Sequence, residues 1–239
     1  MIYSKLYTTS WHDTDAYRHV RPSALLVYMQ EISNAHLAST GTTIDELRDT
    51  KGLAYILSKI RLDVLRPITS YEDIRVETWT VASRGYSSLR YYRILRGDET
   101  VAVAETTWAL VSTADKSLHR PEESGYAFED GESVALSAPS RTRAPSDCVF
   151  EQVGKRPVLY SDLDYNMHMN NTRYPDMLCD YLPLEEIEKI SSITLSYLRE
   201  AAFENTVTVH RAKCDGAYYF RTVNDDGAVC LEAVVKLGQ

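Results

Sequence analysis

The chain of 239 residues lacks the features that mark membrane, secreted and nucleic-acid-binding proteins. It has no apolar run near the roughly 20 residues that cross a bilayer, and its start, MIYSKLYTTSWHDTD, lacks the basic-then-apolar order of a signal peptide. It also has no cluster of basic residues of the kind that binds nucleic acid, and a net charge of −8 would repel a phosphate backbone. We therefore expect a cytoplasmic protein with no membrane span and no nucleic-acid partner.

Cysteine is scarce and dispersed, which argues against a metal site. The four cysteines are Cys148, Cys179, Cys214 and Cys230, and no two of them form a CxxC pair. Neither a zinc site nor a disulfide framework is indicated, so we expect reduced, buried thiols. No metal or organic cofactor is implied.

Glycine and proline are also few, with 10 and 8 residues, and there is no long polar tract. The remaining composition, 44% hydrophobic and 25% charged, is typical of a globular protein with a sizeable core. Tyrosine is the abundant residue, with 17 copies. Pairs such as Tyr91-Tyr92 and Tyr218-Tyr219 suit half-buried strands with the hydroxyl group in water.

The sequence contains an internal repeat, in which three segments recur in the same order. The pairs are residues 13–19 with 162–168 at an offset of 149, 60–67 with 193–200 at an offset of 133, and Tyr91-Tyr92, Asp98 and Glu105 with Tyr218-Tyr219, Asp225 and Glu232 at an offset of 127. The falling offset indicates that the second copy has shorter connections. We predict two tandem halves, 1–125 and 149–239, joined by a linker at 126–148 that is rich in Ser, Gly, Pro and charge.

Each half has the pattern of one helix followed by strands. In the first half, proline in the first turn and helical spacing predict a helix from about 21 to 41, and period-two alternation predicts strands at 53–64, 74–82, 87–96 and 100–112, the last two forming a hairpin. In the second half we predict a helix at about 172–181 and strands near 157–161, 192–199, 206–212, 217–223 and 228–237. Because neither element can hide its apolar face alone, each helix must pack on its sheet. The predicted fold class is α+β, a double (tandem) hotdog with a long helix wrapped by a curved antiparallel sheet in each half.

The segment SDLDYNMHMNN is the strongest candidate for a site. Asp164, Asn166 and His168 alternate, so in an extended segment their side chains would share one face, just before a helix start at 170–172. Free backbone amides at that helix start would suit an oxyanion. The alternative interpretation is a polar turn, because Asp and Asn are common turn formers and helix caps.

The repeat favours chemistry in the second half. Asn166 corresponds to Tyr17, and Glu200 corresponds to Pro67, which has no ionisable group. One copy thus keeps Asp, Asn, His and Glu, whereas the other keeps only part of the set. Glu200 can reach His168 only through the sheet, and its simpler interpretation is a solvated carboxylate at a strand end.

These motifs resemble a known family. The segment DLDYNMHMNNTRY, followed about thirty residues later by ITLSYLRE, is similar to the acyl-acyl carrier protein thioesterases, the chain-terminating enzymes of plant plastid fatty acid synthesis and their bacterial relatives. The likeness covers nearly the whole chain, including SNAHLASTG and the VETW strand. In that family the site carries Asp-x-Asn-x-His-x-Asn-Asn and a catalytic Glu on a later strand.

The resemblance implies catalytic roles for Asp164, Asn166, His168 and Glu200, with no cofactor. Many members have cysteine after the glutamate, whereas this sequence has Ala201, so a Cys-His mechanism cannot operate at that position. Asp164 would attack the thioester carbonyl or act as the base for water, Asn166 and His168 would orient it, and Glu200 would polarise the water. The lack of a long N-terminal extension favours a bacterial-type member.

The implied partner is an acyl carrier protein bearing a 4'-phosphopantetheine-linked acyl chain. Such a carrier is acidic and would need a basic surface. The nearest cluster is Arg141, Arg143, Lys155 and Arg156, for which a solvated linker is the simpler interpretation.

The resemblance places acyl-chain binding in the first half and catalysis in the second. The chain would lie between the first helix and its sheet. Candidates for lining it are Leu25, Met29, Ile56 and Leu57, although each also suits ordinary core.

Three other functions stay open. Acyl-coenzyme A hydrolysis uses the same chemistry, and a non-catalytic acyl-thioester-binding module would keep only the pocket. A hotdog dehydratase is less favoured because His19 lacks a convincing carboxylate partner. Chain-length preference and a homodimer formed through exposed strands are not decided by the sequence.

Overall fold

The computed structural model describes residues 2–125 and 131–238, with the side chains of 82–84 outside the description. The start of the predicted linker, 126–130, therefore lies outside the described residues. The first half contains β1 (Tyr3–Thr8), α1 (Pro22–Ser39), α2 (Ile44–Lys51), β2 (Leu53–Val64), β3 (Asp73–Arg84), β4 (Ser87–Arg96), β5 (Glu99–Ser112) and β6 (Leu118–His119). The second contains β7 (Glu151–Pro157), α3 (Tyr174–Cys179), α4 (Leu184–Ile187), β8 (Ile190–Tyr197), β9 (Thr206–Cys214), β10 (Ala217–Val223) and β11 (Val229–Leu237). Short 3₁₀ turns lie at Trp11–Asp13, Pro121–Ser124, Tyr160–Asp162 and Asn171–Arg173.

The two halves share one antiparallel sheet. Its order in the described chain is β1-β3-β4-β5-β2-β8-β11-β10-β9-β7, with β6 on β5. The order is symmetric about the β2–β8 junction, so every described strand of the first half except β6 has an equivalent in the second. The ladder between β2 and β8 runs from Lys59 opposite Ser196 to Asp63 opposite Ser192.

Helix α1 forms where proline and apolar spacing predict it. Pro22 occupies the first turn, where its missing N–H costs nothing. Leu25, Met29 and Ile32 follow at spacings of four and three, and all three are at most 2% exposed against the sheet. The second half buries a much shorter helix, α3 of six residues, which continues from the 3₁₀ turn at Asn171–Arg173.

The strand ladders correct the third alignment of the internal repeat. Ala104 of β5 and Ala233 of β11 lie opposite the aligned leucines of β2 and β8. Tyr92 is also opposite Ala104, and Phe220 is opposite Ala233. Tyr92 therefore corresponds to Phe220 and not to Tyr219, so the predicted offset is wrong by one residue in β4 and by two in β5. Both aromatic rings are 1% exposed and face inward, which a one-residue slip would reverse.

Most predicted strands are confirmed, and β2 and β4 have the predicted limits. The strand predicted at 157–161 is wrong, because β7 ends at Pro157 and Tyr160–Asp162 is a 3₁₀ turn. The Asp162 carboxylate holds that turn by accepting from the Leu159 amide at 2.9 Å. β1 and α2 were not expected from the sequence pattern.

The prediction of four reduced thiols is wrong for one pair. Cys148, in the chain leading to β7, and Cys214, at the end of β9, form a disulfide with their Cα atoms 6.1 Å apart. The fold brings together residues that are 66 positions apart, which sequence spacing does not reveal. Cys179 and Cys230 are free, and burial raises the pKa of the Cys179 thiol to about 12.

The linker residues that are described lie along the outer face of the sheet at its centre. The buried Asp63 carboxylate accepts from the amides of Ser137 and Ala138, and the Arg61 guanidinium donates to the Ala138 carbonyl. On the other side of the junction, Thr194 donates to the Pro139 carbonyl at 2.8 Å. Among the helices described, none is both long and apolar enough to span a bilayer.

Candidate active site

Residues Asp164 to His168 form a tight turn. The Asp164 amide donates to the His168 carbonyl at 2.9 Å, and the Met167 amide donates to the Asp164 carbonyl at 3.1 Å. Met167 has a φ of 64°, in the left-handed region. The expected extended segment with three side chains on one face is therefore wrong. The Asp164 carboxylate closes the turn by accepting from the Asn166 amide at 2.8 Å, a local contact that competes with strand geometry.

The first half contains the same turn. The Asp15 amide donates to the His19 carbonyl at 2.8 Å, and Asp15 Oδ1 accepts from the Tyr17 amide at 2.8 Å. Arg18 has a φ of 67°, as Met167 has in the other copy. The aspartate thus does the same structural work in both turns. The two turns differ in the residue two positions after the aspartate, which is Asn166 in the second turn and Tyr17 in the first. They also differ in the groups that surround the histidine.

The fold brings His168 and Glu200 together. His168 forms a bridge with Ala202, and the Met169 amide donates to the Ala201 carbonyl at 2.9 Å. These contacts set the loop beside the chain that leaves β8, so His168 Nε2 lies 3.4 Å from Glu200 Oε2. The two side chains are 27% and 49% exposed, which leaves the pair open to water.

The first half supplies two cations that the sequence motifs did not indicate. Lys116, in the turn after β5, places its Nζ 3.6 Å from Glu200 Oε1. Arg48, on α2, donates to Asn166 Oδ1, and its guanidinium lies over the Tyr165 ring at 5.1 Å. The site is therefore built from both halves, and no local signal near either cation could have shown it.

The turn that carries Lys116 is held by its neighbour. Asp115 Oδ1 accepts from the Ser117 hydroxyl at 2.7 Å and from the Ser117 amide at 3.0 Å. These hydrogen bonds lower the pKa of the Asp115 carboxyl to about 2. Lys116 itself adopts a φ of 61°, in the left-handed region.

At the following helix start, where an oxyanion site was expected, three backbone amides already have acceptors. Asn170 Oδ1 accepts from the Thr172 amide at 2.9 Å, and the Asn170 carbonyl accepts from the Arg173 amide at 2.9 Å. The Asn170 amide itself donates to the Asp162 carbonyl at 2.8 Å. The asparagine cap thus uses the Thr172 and Arg173 amides, and an oxyanion site at the Asn171 amide stays a prediction.

Hydrogen bonds beneath the loop fix its position. Tyr197, at the end of β8, donates its hydroxyl to the Asn171 carbonyl at 2.9 Å. Burial raises the pKa of this phenol well above its ordinary value, so it stays a donor. Asp162 is 2% exposed and pairs with Arg156, which gives the first aspartate of the motif a structural role.

Two family models match successive parts of the chain. Residues 1–127 match the acyl-ACP thioesterase N-terminal domain, and residues 151–234 match the acyl-ACP thioesterase C-terminal domain. The chain belongs to the acyl-ACP thioesterase family. Both models together cover most of its length, and the four predicted catalytic residues fall within the second.

Curated relatives of this acyl-ACP thioesterase family member are plant proteins. The palmitoyl-acyl carrier protein thioesterase of Gossypium hirsutum is 24% identical over 256 residues, covering 95% of this chain and 62% of the relative. The protein of the same name from Arabidopsis thaliana is 23% identical over 224 residues, covering 87% and 54%. The chain therefore spans somewhat more than half the length of these relatives.

Solved structures confirm the predicted fold class. An acyl-ACP thioesterase from Bacteroides thetaiotaomicron superposes with a TM-score of 0.88 at 18% identity, covering 98% of this chain and 97% of its own. A 12:0-ACP thioesterase from Umbellularia californica gives a TM-score of 0.82 at 20% identity, covering 98% and 96%. The α+β double hotdog is thus the fold of this family member.

The basic cluster expected to bind the carrier is only partly free in this family member. Arg156 pairs with Asp162, whereas Arg141, Arg143 and Lys155 are exposed. A carrier-binding role for this cluster stays a prediction.

The residues predicted to line the acyl pocket differ in burial. Leu25, Met29 and Leu57 are buried, but Ile56 is only half-buried, on the face of β2 opposite to Leu57. The pocket itself stays a prediction.

Proposed function

We propose that this chain hydrolyses the thioester bond of fatty acyl-acyl carrier protein and releases free fatty acid, which terminates chain elongation. The observation that carries the proposal is the contact between His168 and Glu200 beside the Asp164 turn, in a member of the acyl-ACP thioesterase family. The first-half turn has the same backbone but no carboxylate at the position of Glu200, where Pro67 stands. Only the second half therefore offers a complete site.

We assign separate steps of the hydrolysis to Asp164, His168 and Glu200. When the C–S bond of a thioester breaks, the thiol of the carrier leaves as a thiolate that needs little protonation, so the demanding steps are attack on the carbonyl and stabilisation of the oxyanion. Asp164 Oδ1 is held by the Asn166 amide, and we assign the other oxygen to attack on the carbonyl or to proton removal from water. Glu200 and His168, half open to solvent, hold the hydrolytic water.

The cations from the first half support the same assignment. Arg48 fixes the Asn166 side chain, whose amide nitrogen can then donate toward the thioester oxygen. Lys116 fixes Glu200 from the side opposite to His168. We therefore propose this side chain as an oxyanion donor, since the backbone amides of Asn170, Thr172 and Arg173 already have acceptors.

The experiment compares His168→Ala and Glu200→Gln with wild type in the hydrolysis of acyl-acyl carrier protein. Each should reduce kcat by roughly 10²- to 10⁴-fold with the fold intact, as expected for loss of a general base or water-positioning group. His19→Ala is the matched control, since it removes the equivalent histidine from the first-half turn and should leave kcat unchanged. Wild-type activity in both second-half variants would exclude this site.

The proposal also covers the acyl carrier, the cellular location and the oligomeric state. Hydrolysis of acyl-carrier-protein and acyl-coenzyme A substrates, measured side by side, separates the two carriers, and absence of both activities would favour a binding module. A location in the cytoplasm stays a proposal, which the redox state of Cys148 and Cys214 in cells would test, since the cytosol keeps most thiols reduced. β1 and β7 are the outer strands of the described sheet, so a homodimer would form there, and its mass in solution would reveal it.

A further inference from the structure

The linker crosses the outer face of the sheet and ends at the disulfide on β9. Near the start of its described part, the Glu132 carbonyl accepts from the indole N–H of Trp79 on β3 at 2.8 Å. Further along, the Thr142 hydroxyl donates to the Ser196 hydroxyl of β8 at 3.1 Å. The contacts before the disulfide are hydrogen bonds, so the disulfide is the covalent attachment at the end of this segment.

The disulfide lies at the place where β7 begins to pair with β9. Glu151 of β7 is opposite Arg211 of β9. Cys148 comes three residues before Glu151, and Cys214 comes three residues after Arg211, so the disulfide continues the same antiparallel register. In the described sheet β7 is an outer strand, with β9 on one side. Glu151 and Arg211 also form an ion pair, but the Glu151 side chain is 61% exposed and such a pair restrains the strand little.

The other end of β7 supports the candidate active site. Arg156 of β7 pairs with Asp162, whose carbonyl accepts from the Asn170 amide at 2.8 Å. Val158, which follows β7, donates its amide to the Asn205 carbonyl at 2.8 Å. These contacts reach the two chain segments that carry the histidine and the glutamate of the site. A movement of β7 would therefore change the position of one segment relative to the other.

The two bonded cysteines are the accessible ones of the four. Cys148 and Cys214 are half-buried, and Val149, next to Cys148, is 85% exposed. The other two cysteines are poor competitors for an external thiol. Burial raises the pKa of the Cys179 thiol to about 12, so almost no thiolate forms there, and Cys230 is 0% exposed. A thiol reagent would therefore act at one place in the folded chain.

We propose that the Cys148–Cys214 disulfide is a reversible modification site, which a dithiol opens and which controls the rate of thioester hydrolysis. The effect on the rate rests on the proposed function. In the cytoplasm, the location proposed above, disulfides are mostly transient and serve redox sensing or catalysis. Accessible disulfides are also the ones that exchange with external thiols.

The exchange proceeds in two steps. A thiolate of the dithiol bonds to one sulfur of the pair, the S–S bond breaks, and the other cysteine leaves as a thiolate. The second thiol of the reagent then attacks the mixed disulfide as its thiolate, closes the reagent's own disulfide and releases the remaining cysteine. Both cysteine thiolates take up a proton. The protein disulfide thus gains two electrons and two protons, and the dithiol loses them.

The test compares the oxidised and reduced forms of the full chain. Dithiothreitol opens the disulfide, and the reagent is removed before the assay because thiols also react with thioesters. Reduction should lower kcat for acyl-acyl carrier protein at least about threefold and change KM less than about twofold, because a looser β7 misplaces His168 relative to Glu200. Oxidised glutathione, which accepts the two electrons, should restore kcat.

Two physical readouts accompany the rate. Iodoacetamide should label two more cysteines after reduction than before, as measured by the mass of the folded protein. The melting temperature should fall by at least about 5 °C, because the disulfide restrains an unfolded chain across a sequence separation of 66 residues.

Variants separate this pair from the other cysteines. Cys148→Ser and Cys214→Ser should each have the kcat of reduced wild type and should not respond to dithiothreitol. Cys179→Ala is the matched control, since it removes a cysteine of α3 that has no disulfide partner and should respond to dithiothreitol as wild type does. If the serine variants do not fold, oxidised and reduced wild type, checked by circular dichroism, provide the same comparison.

The failures of the two proposals are distinguishable. A lower melting temperature at unchanged kcat in the reduced protein would show a purely structural disulfide and would overturn this inference, and so would a disulfide that stays closed in a large excess of dithiothreitol. Either result would leave the proposed function standing. No hydrolysis in either redox state would overturn the proposed function, and with it the control of its rate.

Discussion

Glu200 lies between a histidine of its own half and a lysine of the other half. His168 Nε2 is 3.4 Å from one carboxylate oxygen, and Lys116 Nζ is 3.6 Å from the other. The two contacts restrict the rotation of a carboxylate that is half exposed. Because the lysine is 60% exposed, the ion pair is worth only about 0.2 to 1 kcal/mol. The ion pair mainly orients the Glu200 carboxylate, and its loss should reduce kcat only modestly.

Replacement of Lys116 tests this positioning role. Lys116→Met should reduce kcat about two- to fivefold, the factor that corresponds to an exposed ion pair, with KM unchanged. Lys116→Arg should recover most of the lost kcat, because a cation returns to the same position. Steady-state kinetics with one acyl-carrier-protein substrate measures both constants. Lys189→Met, an exposed lysine that follows α4, is the control, and a higher KM at unchanged kcat in Lys116→Met would instead place Lys116 in carrier binding.

At the scale of elements, the turns at 15–19 and 164–168 have the same backbone hydrogen bond between aspartate and histidine, but different residues surround them. Each turn contacts the second helix of the opposite half: Arg48 of α2 binds Asn166, and the Tyr17 hydroxyl donates to the Leu184 carbonyl of α4 at 2.9 Å. The first-half turn contacts the opposite half through the Tyr17 hydroxyl, whereas the second-half turn does so through the Asn166 side-chain amide. The same turn thus only joins the two halves in the first copy, whereas in the second copy it also carries the proposed catalytic residues.

The packing of α1 on the sheet should depend on pH through His36. Burial and Arg90 lower the pKa of this imidazole from 6.5 to about 4 in the folded protein. Between these values the unfolded chain binds more protons, so the stability from this group is complete above pH 6.5 and is lost as the pH falls toward 4. Because the ring is partly exposed, the loss should be about 1 to 2 kcal/mol.

Denaturant unfolding at pH 7.0 and pH 4.5 measures this contribution. His36→Gln should lose less free energy of unfolding between the two pH values than wild type does. His12→Gln, which replaces a histidine with an 80% exposed side chain, should behave as wild type. Equal pH dependence in wild type and His36→Gln would show that α1 packing does not respond to this proton.

At the scale of the whole molecule, the linker closes the outer face of the sheet where the two halves meet. Asp63, on β2, is 1% exposed and receives two amides from the linker, while Thr194 of β8 binds the next linker carbonyl. The Cys148–Cys214 disulfide ties the end of the same segment to β9. The linker therefore holds the halves together as well as joining them.

Removal of the Asp63 carboxylate should weaken this attachment. Asp63→Ala leaves the buried Ala138 amide without a partner and should lower the free energy of unfolding by about 1 to 3 kcal/mol. Urea unfolding followed by circular dichroism measures the change. Asp49→Ala, on the exposed face of α2, is the control and should stay within about 0.5 kcal/mol of wild type. A loss below that limit for Asp63→Ala would contradict a structural role for the linker.

The sequence by itself determined the features that depend on neighbouring residues. The apolar spacing of α1, the alternation of β2 and β4 and the repeated Asp-x-x-x-His turns all follow from local pattern, and they were sufficient for the double hotdog and for the location of the polar loop. The same local view left open whether this segment is extended or a polar turn, and the Asp164 side chain decides for the turn because it competes with strand geometry. The local view also placed the third repeat out of register, because connection lengths differ between the copies.

Only the tertiary structure decided which distant groups meet. Lys116 and Arg48 reach the second-half loop because β2 pairs with β8, which sets the end of β5 and helix α2 beside it. Cys148 meets Cys214 for the same reason. Strand order and register are set by burial over the whole sheet, and a contact across that sheet leaves no periodic signal in the chain.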